Sequence, residues 1–284
     1  MPRRAVCPTP AIAPSELHAS VAGYAYAELQ GTPTMGQTSL AGEAALAISY
    51  NGISKAVMMV SPGELEDFVH GFSLGAGLIE SIDDIYDIQL SGTGAALHAE
   101  VQISSRAFWA LKQQRRQLAG NSSCGLCGVA ALEQALPDLP LLPASPLPPA
   151  AHLYELRQRI AAVQHQARSS GALHAALFVD GAGAIRLCRE DIGRHNALDK
   201  LIGALKRQEL DGNRGFAVVT SRCSLELLHK AVRAGIGTLV SLSAPTALTV
   251  DWARRQQLNL IHLPHHSAPR VYSPAPTTSE EARA

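Results

Sequence analysis

Two thiols spaced for joint chemistry stand in the run Asn121-Ser122-Ser123-Cys124-Gly125-Leu126-Cys127-Gly128. The Gly and Ser around them, with a basic segment before and a proline-rich one after, predict a pliable loop rather than a core pair. A Cys-x-x-Cys supports three chemistries. It can be half of a zinc site, but structural zinc takes four ligands. No second Cys-x-x-Cys exists, and Pro264-His265-His266 is poorly spaced to complete a set. It can be a thioredoxin-like redox pair, whose first Cys normally begins a helix beside a central strand; here a proline-rich stretch follows instead. It can be a sulfur relay, in which a thiolate accepts sulfane sulfur as a persulfide and the second Cys expels it as sulfide. The chain has five cysteines, an odd and low count that is no disulfide framework. Cys188 reads as the core end of a strand, and Cys7 is assigned no role.

A second run, Glu190-Asp191-Ile192-Gly193-Arg194-His195-Asn196-Ala197-Leu198-Asp199-Lys200, answers the first from the other half of the chain. It joins a strand to a helix. Two further polar strand-to-helix turns follow, Thr220-Ser221-Arg222-Cys223-Ser224 and Ser243-Ala244-Pro245-Thr246. In open α/β sheets ligands bind beyond the carboxyl ends of the strands, and helix N-termini offer unpaired N–H groups to anions. Arg194, His195 and Arg222 should therefore share one rim able to hold a polyanion. Asp191 could accept from the N1–H and N2–H edge of a guanine. The plainer alternative makes Ser224 and Ser243 helix caps and Asp191 a counter-charge to Arg194. His174 opens a strand toward the same rim, as a ligand contact or a satisfied structural histidine.

Positioning these groups takes a sizeable fold, and 284 residues at 46% hydrophobic content supply one or two domains. Formal net charge is zero, which argues against a general nucleic-acid binder. The basic start Met1-Pro2-Arg3-Arg4 lacks an apolar h-region, and no apolar run reaches about 18 residues. A cytoplasmic protein with no membrane span is expected.

Residues 1–38 read as a flexible leader with a strand near 21–29, and 39–119 as an α+β domain. Asn51-Gly52 between two apolar runs signals a hairpin. Ser61, Pro62 and Glu64 predict a capping box ahead of a helix carrying Leu65, Phe68, Val69 and Phe72. Strands follow at 85–90 and 97–103, then a helix from Ser105 whose Lys112, Arg115 and Arg116 form a solvated basic face. A short helix is expected over 129–136. Six prolines between 137 and 149 predict a stiff extended connection, so 120–150 is taken as cysteine loop and linker. Residues 151–272 alternate β-β-α-β-α-β-α-β, an α/β sheet with helices on both faces, and 273–284 form a tail.

These motifs together resemble the FdhD family of sulfur carriers required by formate dehydrogenase. The resemblance covers about residues 40–272. It rests on Ser123 to Gly128, Gly171 to Ala176, the long Glu190 to Lys200 run, Arg222 to Glu226 with Lys230-Ala231, and Ser243 to Thr246. It implies a cytidine-deaminase-like mixed sheet flanked by helices in the C-terminal domain, and a homodimer. It implies that sulfur arrives from a cysteine desulfurase as a persulfide on Cys124, with Cys127 assisting. It implies delivery to bis-molybdopterin guanine dinucleotide destined for formate dehydrogenase or a related molybdoenzyme. The family's cofactor-binding segment maps onto Leu263, Pro264, His265, His266, Ser267 and Ala268. His174, Arg194, His195, Asn196 and Arg222 complete the candidate contacts. Three positions depart from the pattern. Ser267-Ala268 replace a Gly-Arg pair, Ser221 replaces a glycine, and Ala76 replaces a Glu. Deamination is not implied: zinc deaminases use H-x-E and a later P-C-x-x-C, whereas Ala176 stands after His174 and the cysteine pair precedes both. A thiol-disulfide oxidoreductase and a non-enzymatic guanine-dinucleotide chaperone are the alternative functions.

Overall fold

The computed structural model describes residues 20–29, 35–120 and 136–276. Cys124, Cys127 and the helix expected over 129–136 lie outside the described residues, apart from Leu136.

The N-terminal unit is a four-stranded sheet of β3 (Ala44–Tyr50), β4 (Ile53–Val60), β5 (Ile85–Thr93) and β6 (Ala96–Ile103), in the order β4-β3-β6-β5. Asn51 and Gly52 both take positive φ, 45° and 79°, the mirror-image turn that suits a twisted hairpin. In β6 Leu97, Ala99, Val101 and Ile103 are buried while His98, Glu100 and Gln102 face outward, as period-2 alternation requires. Two helices complete the unit, α1 (Leu65–Gly75) and α2 (Ser105–Gly120). On α2 the Lys112 ammonium sits 4.2 Å from the Phe108 ring centroid. Near the strand expected at 21–29 lies β1 (Ser20–Ala27), which pairs antiparallel with β2 (Met35–Ala41), a strand that crosses the expected leader boundary at 38.

The capping box expected before α1 does not form. The helix begins at Leu65, and Glu64 precedes it with φ 50° and no side-chain cap. Ser61 is drawn instead into bonds with Asp191 and Ile192, about 130 residues away. Tertiary partners outcompete the local cap.

The proline-rich segment 137–149 is extended, and it is packed rather than free. Leu139 and Leu142 are buried. The Leu142 N–H donates to Gln256 O, and the Asn259 amide donates to Ser145 O. Three short helices unforeseen in the sequence follow, α3 (Ala150–Leu153), α4 (Leu156–Val163) and α5 (His165–Ser170).

The C-terminal sheet comprises β7 (His174–Asp180), β8 (Ile185–Asp191), β9 (Gly215–Arg222), β10 (Thr238–Ser243), β11 (Asn259–His262) and β12 (Arg270–Ser273). Its order is β12-β11-β10-β9-β7-β8. The three central strands β9, β10 and β11 are parallel; β7, β8 and β12 pair antiparallel with their neighbours. Strand β12 lies where only a polar end was expected. Helices α6 (Arg194–Arg207), α7 (Leu225–Arg233) and α8 (Ala247–Arg255) cover one face, and Leu153, Leu156 and Ile160 of α3 and α4 cover the other. The whole is a mixed α/β fold with helices on both faces of the larger sheet.

One apolar core passes from Leu46 and Ile48 through Phe68 to Leu198, Leu201, Ala217 and Leu239, so the two units share an interior. Helices α1 and α6 touch backbone to backbone where they cross. A Cβ at Gly71 would lie 1.7 Å from Asp199 O, and one at Gly203 would lie 1.8 Å from Asp67 O. Only glycine permits that approach.

Candidate functional site

Strand β8 ends at Asp191 and α6 begins at Arg194, so the Glu190–Lys200 run turns one corner of the sheet. Most of its polar side chains point inward. Asp191 is fully buried and accepts from Ser61 N–H at 2.9 Å, Gly193 N–H at 2.8 Å and the Asn196 amide at 2.9 Å. Lys200, also fully buried, approaches Asp191 at 2.9 Å and donates to Ser61 O and Glu190 O. Asn196 spends its other amide hydrogen on Met59 O at 2.7 Å. Three expectations are corrected. Asp191 has no free edge for a guanine, and its counter-charge is Lys200 rather than Arg194. Asn196 is buried and donates only to protein, so it positions the corner instead of touching a ligand.

A second buried pair lies beneath. Lys230 Nζ donates to both Asp199 oxygens at 2.8–2.9 Å. Burial pushes the Asp199 carboxyl up to about 6, with Lys230 pulling the other way. Asp67 receives Arg189 at 2.8 Å and Arg207 at 2.6 Å, tying α1 to β8 and α6. Together these bonds form a polar seam between the two units.

The outward residues of the run join the rim. His174 pairs in register with Asp191, Ala176 with Val219, and Ser243 with Arg222. The start of β7 and the ends of β8, β9 and β10 therefore occupy one edge, with the starts of α6, α7 and α8 above it. His174, Arg194 and His195 are half-buried there and Arg222 is exposed. His195 Nε2 lies 3.4 Å from both Ser224 Oγ and Glu226. Burial holds both histidines below the ordinary imidazole range. For His174, Arg194 pushes the same way; for His195, Glu226 opposes, then Arg194 pushes downward. Ser224 occupies the cap position of α7 without capping it, and α8 is capped by Thr246, not Ser243. Ser221, the residue replacing the expected glycine, is buried in the end of β9.

The segment after β11 reaches the same edge, because the Leu263 N–H donates to Ser241 O at 2.9 Å. Leu263 is buried, Pro264 half-buried, and His265, His266, Ser267 and Ala268 are exposed. Arg270 extends toward Ser267 Oγ at 3.4 Å. Sequence reasoning missed two neighbours. His262 is buried with Nδ1 unpartnered among the described residues, and burial, then Arg270 and Arg157, hold it below its ordinary value. Arg157 of α4 donates to Leu242 O and Leu263 O. No local pattern flags Arg157, whereas Lys200 beside the apolar stripe of Ala197 and Leu201 was a readable sign of a buried charge.

Cys188 lies within β8, not at its end, and is half-buried; burial pushes its thiol up to about 12. Cys223 is buried and pushed up to about 12 for the same reason. Neither is poised as a thiolate nucleophile. No helix among the described residues is long and apolar enough to cross a membrane.

Strand ends, helix beginnings, arginines and neutral imidazoles on one edge define an α/β protein suited to an anionic ligand. A family model described as the FdhD/NarQ family matches residues 41–278. The chain is 42% identical over 236 residues to "Sulfur carrier protein FdhD" of Bordetella petrii, spanning 82% of this chain and 84% of that one. It is 40% identical over 258 residues to the protein of the same name in Cupriavidus necator, spanning 89% and 88%. The crystal structure of "a putative formate dehydrogenase accessory protein from Desulfotalea psychrophila" matches with TM-score 0.70 and 21% identity, over 91% of this chain and 99% of that one. That likeness concerns the fold. The chain belongs to the FdhD/NarQ family.

Proposed function

We propose that this protein is a sulfur carrier that matures the cofactor of a formate dehydrogenase. Cys124 receives sulfur from a cysteine desulfurase and passes it to bis-molybdopterin guanine dinucleotide, bound as substrate on the rim. In the first step the Cys124 thiolate attacks the terminal sulfur of the donor's persulfide. The donor's S–S bond breaks, a Cys124 Sγ–S bond forms, and the donor leaves as thiolate. In the second step the Cys127 thiolate attacks Cys124 Sγ and expels hydrosulfide toward the metal. The outer sulfur takes both bonding electrons, and the resulting Cys124–Cys127 disulfide is reset by a dithiol reductant.

The observation that carries this reading is the gathering of three helix beginnings with Arg194, His195 and Arg222 on one edge. Diphosphate oxygens are stabilised by such N–H groups and by guanidinium donors. His174 and His195, held neutral at pH 7, can hydrogen-bond a ligand without repelling Arg194. The names of the relatives, sulfur carriers all, support the same assignment.

Incubation with a cysteine desulfurase and cysteine should add about 32 Da, one sulfur atom, to the peptide carrying Cys124. Cys124→Ala should abolish the increment. An increment that persists in this variant, or none in the wild type, removes the reading.

A further inference from the structure

We propose that Arg157 is a positioning residue that fixes the start of the 263–268 segment and sets the tautomer of His265, leaving Nδ1–H as that ring's donor to an anionic ligand. The ligand half of this statement rests on the function proposed above; the tautomer half does not.

Arg157 projects from α4 to the end of the larger sheet. Its Nη2 donates to Leu242 O at 2.6 Å and to Leu263 O at 2.5 Å, so one nitrogen ties the ends of two neighbouring strands. Its Nη1 stands 3.2 Å from His265 Nε2. A guanidinium has donors and no acceptor, and it keeps its charge. Nε2 must therefore accept. A neutral imidazole carries one N–H, which places the proton on Nδ1. This is the tautomer water does not favour, so its presence reports the contact. His265 is exposed, and its Nδ1 has no hydrogen-bond partner among the described residues. The neighbouring His266 ring lies 5.8 Å away, centroid to centroid, and tilted. The free donor thus belongs to the segment that Arg157 ties to the ends of β10 and β11, in which Ser267 Oγ lies 3.4 Å from Arg270. A phosphoryl oxygen, an acceptor without a proton of its own, is the ligand chemistry that suits it.

Long-range 1H–15N correlation of the imidazoles in the full chain at pH 8, with His265 assigned by its loss in His265→Gln, reads the tautomer directly. We expect Nδ1–H in the wild type and Nε2–H in Arg157→Gln. Nε2–H in the wild type overturns the proposal. Calorimetric titration with GDP tests the ligand half. Losing one charge-compensating hydrogen bond should weaken binding about tenfold in both Arg157→Gln and His265→Phe. Arg157→Lys should not restore it, because an ammonium cannot span both strand ends and the ring. GDP affinity unchanged in both His265→Phe and Arg157→Lys rejects the ligand half even if Arg157→Gln does not fold. Failure to load Cys124 with sulfur would sink the carrier reading while leaving the tautomer result intact.

Discussion

The seam and the rim are built from the same stretch of chain, residues 190–203, and they use it in opposite ways. Asp191, Asn196, Asp199, Lys200 and Gly203 turn inward and close the contact between the two units. Arg194 and His195 remain half-buried at the rim, on the edge where the strands end. Most of a long, specific run therefore serves packing, and two residues of it line the edge proposed for the ligand. The difference lies in what each side loses on change. An inward residue leaves a buried partner unpaired, whereas an outward one leaves its partner to water.

The largest effect is expected at Lys200→Met. Removing the ammonium strands Asp191 as a charge with no exposure, and breaking a buried pair costs about 3–5 kcal/mol. Urea denaturation should show that loss, or the variant should not fold. A loss below about 1 kcal/mol, the size of a surface ion pair, would place Lys200 on the rim's side of the comparison. Gly203→Ala comes next. Its methyl would meet Asp67 O at 1.8 Å, so α1 and α6 must separate. Overpacking costs typically about 1–3 kcal/mol, and the new atom meets a backbone carbonyl rather than a pliable side chain. An unchanged denaturation midpoint would refute the close crossing.

Much of the fold was legible because its signals are local. Asn51-Gly52 marks a hairpin by turn chemistry alone, and the apolar stripe of Leu198, Leu201, Ile202 and Leu205 marks α6. The gathering of polar turns on one edge followed from strand order, which alternation of strands and helices constrains. What could not be read depends on distant partners. Ser61 has the sequence of a cap and the bonds of a seam residue. Asp191 looks like a free carboxylate until Lys200, Ser61 and Asn196 surround it. Strand β12 is four residues beside prolines, too short to signal itself. Arg157 acts on residues about 85 and 106 positions away, a distance no local pattern spans.

The pH dependence should separate the two regions by sign. Burial pushes the Asp199 carboxyl in the seam up to about 6 in the folded state, above its ordinary 3.8. A raised folded value favours the protonated folded form, so its contribution is full below about 3.8 and is lost as pH rises through about 6. Burial holds His174 and His195 on the rim below the ordinary imidazole value of 6.5. Their contribution is full above 6.5 and is lost as pH falls through their lowered folded values. Stability measured in urea from pH 7 to 4 should thus gain from the seam and lose from the rim. Asp199→Asn should remove the acid-side gain, and His174→Gln with His195→Gln should remove the acid-side loss. Profiles parallel to the wild type in both variants would erase the contrast.

The smallest effect on stability is expected at Arg222→Ala, and it sharpens the comparison most. Arg222 is exposed at the end of β9, and nothing buried depends on it. Surface changes of this kind shift stability by no more than about 0.5 kcal/mol. Its guanidinium nonetheless stands on the edge where a diphosphate would bind, so GDP affinity should fall while the melting temperature holds. Added salt should narrow the gap between wild type and variant, since exposed charges are screened within about 8 Å at physiological ionic strength. A seam residue would behave in reverse, with stability lost first, affinity lost only with the fold, and little response to salt. Were Arg222→Ala to lower the melting temperature and leave GDP binding untouched, the edge residue would belong to the interior bonding after all, and the division between seam and rim would fail at its clearest point.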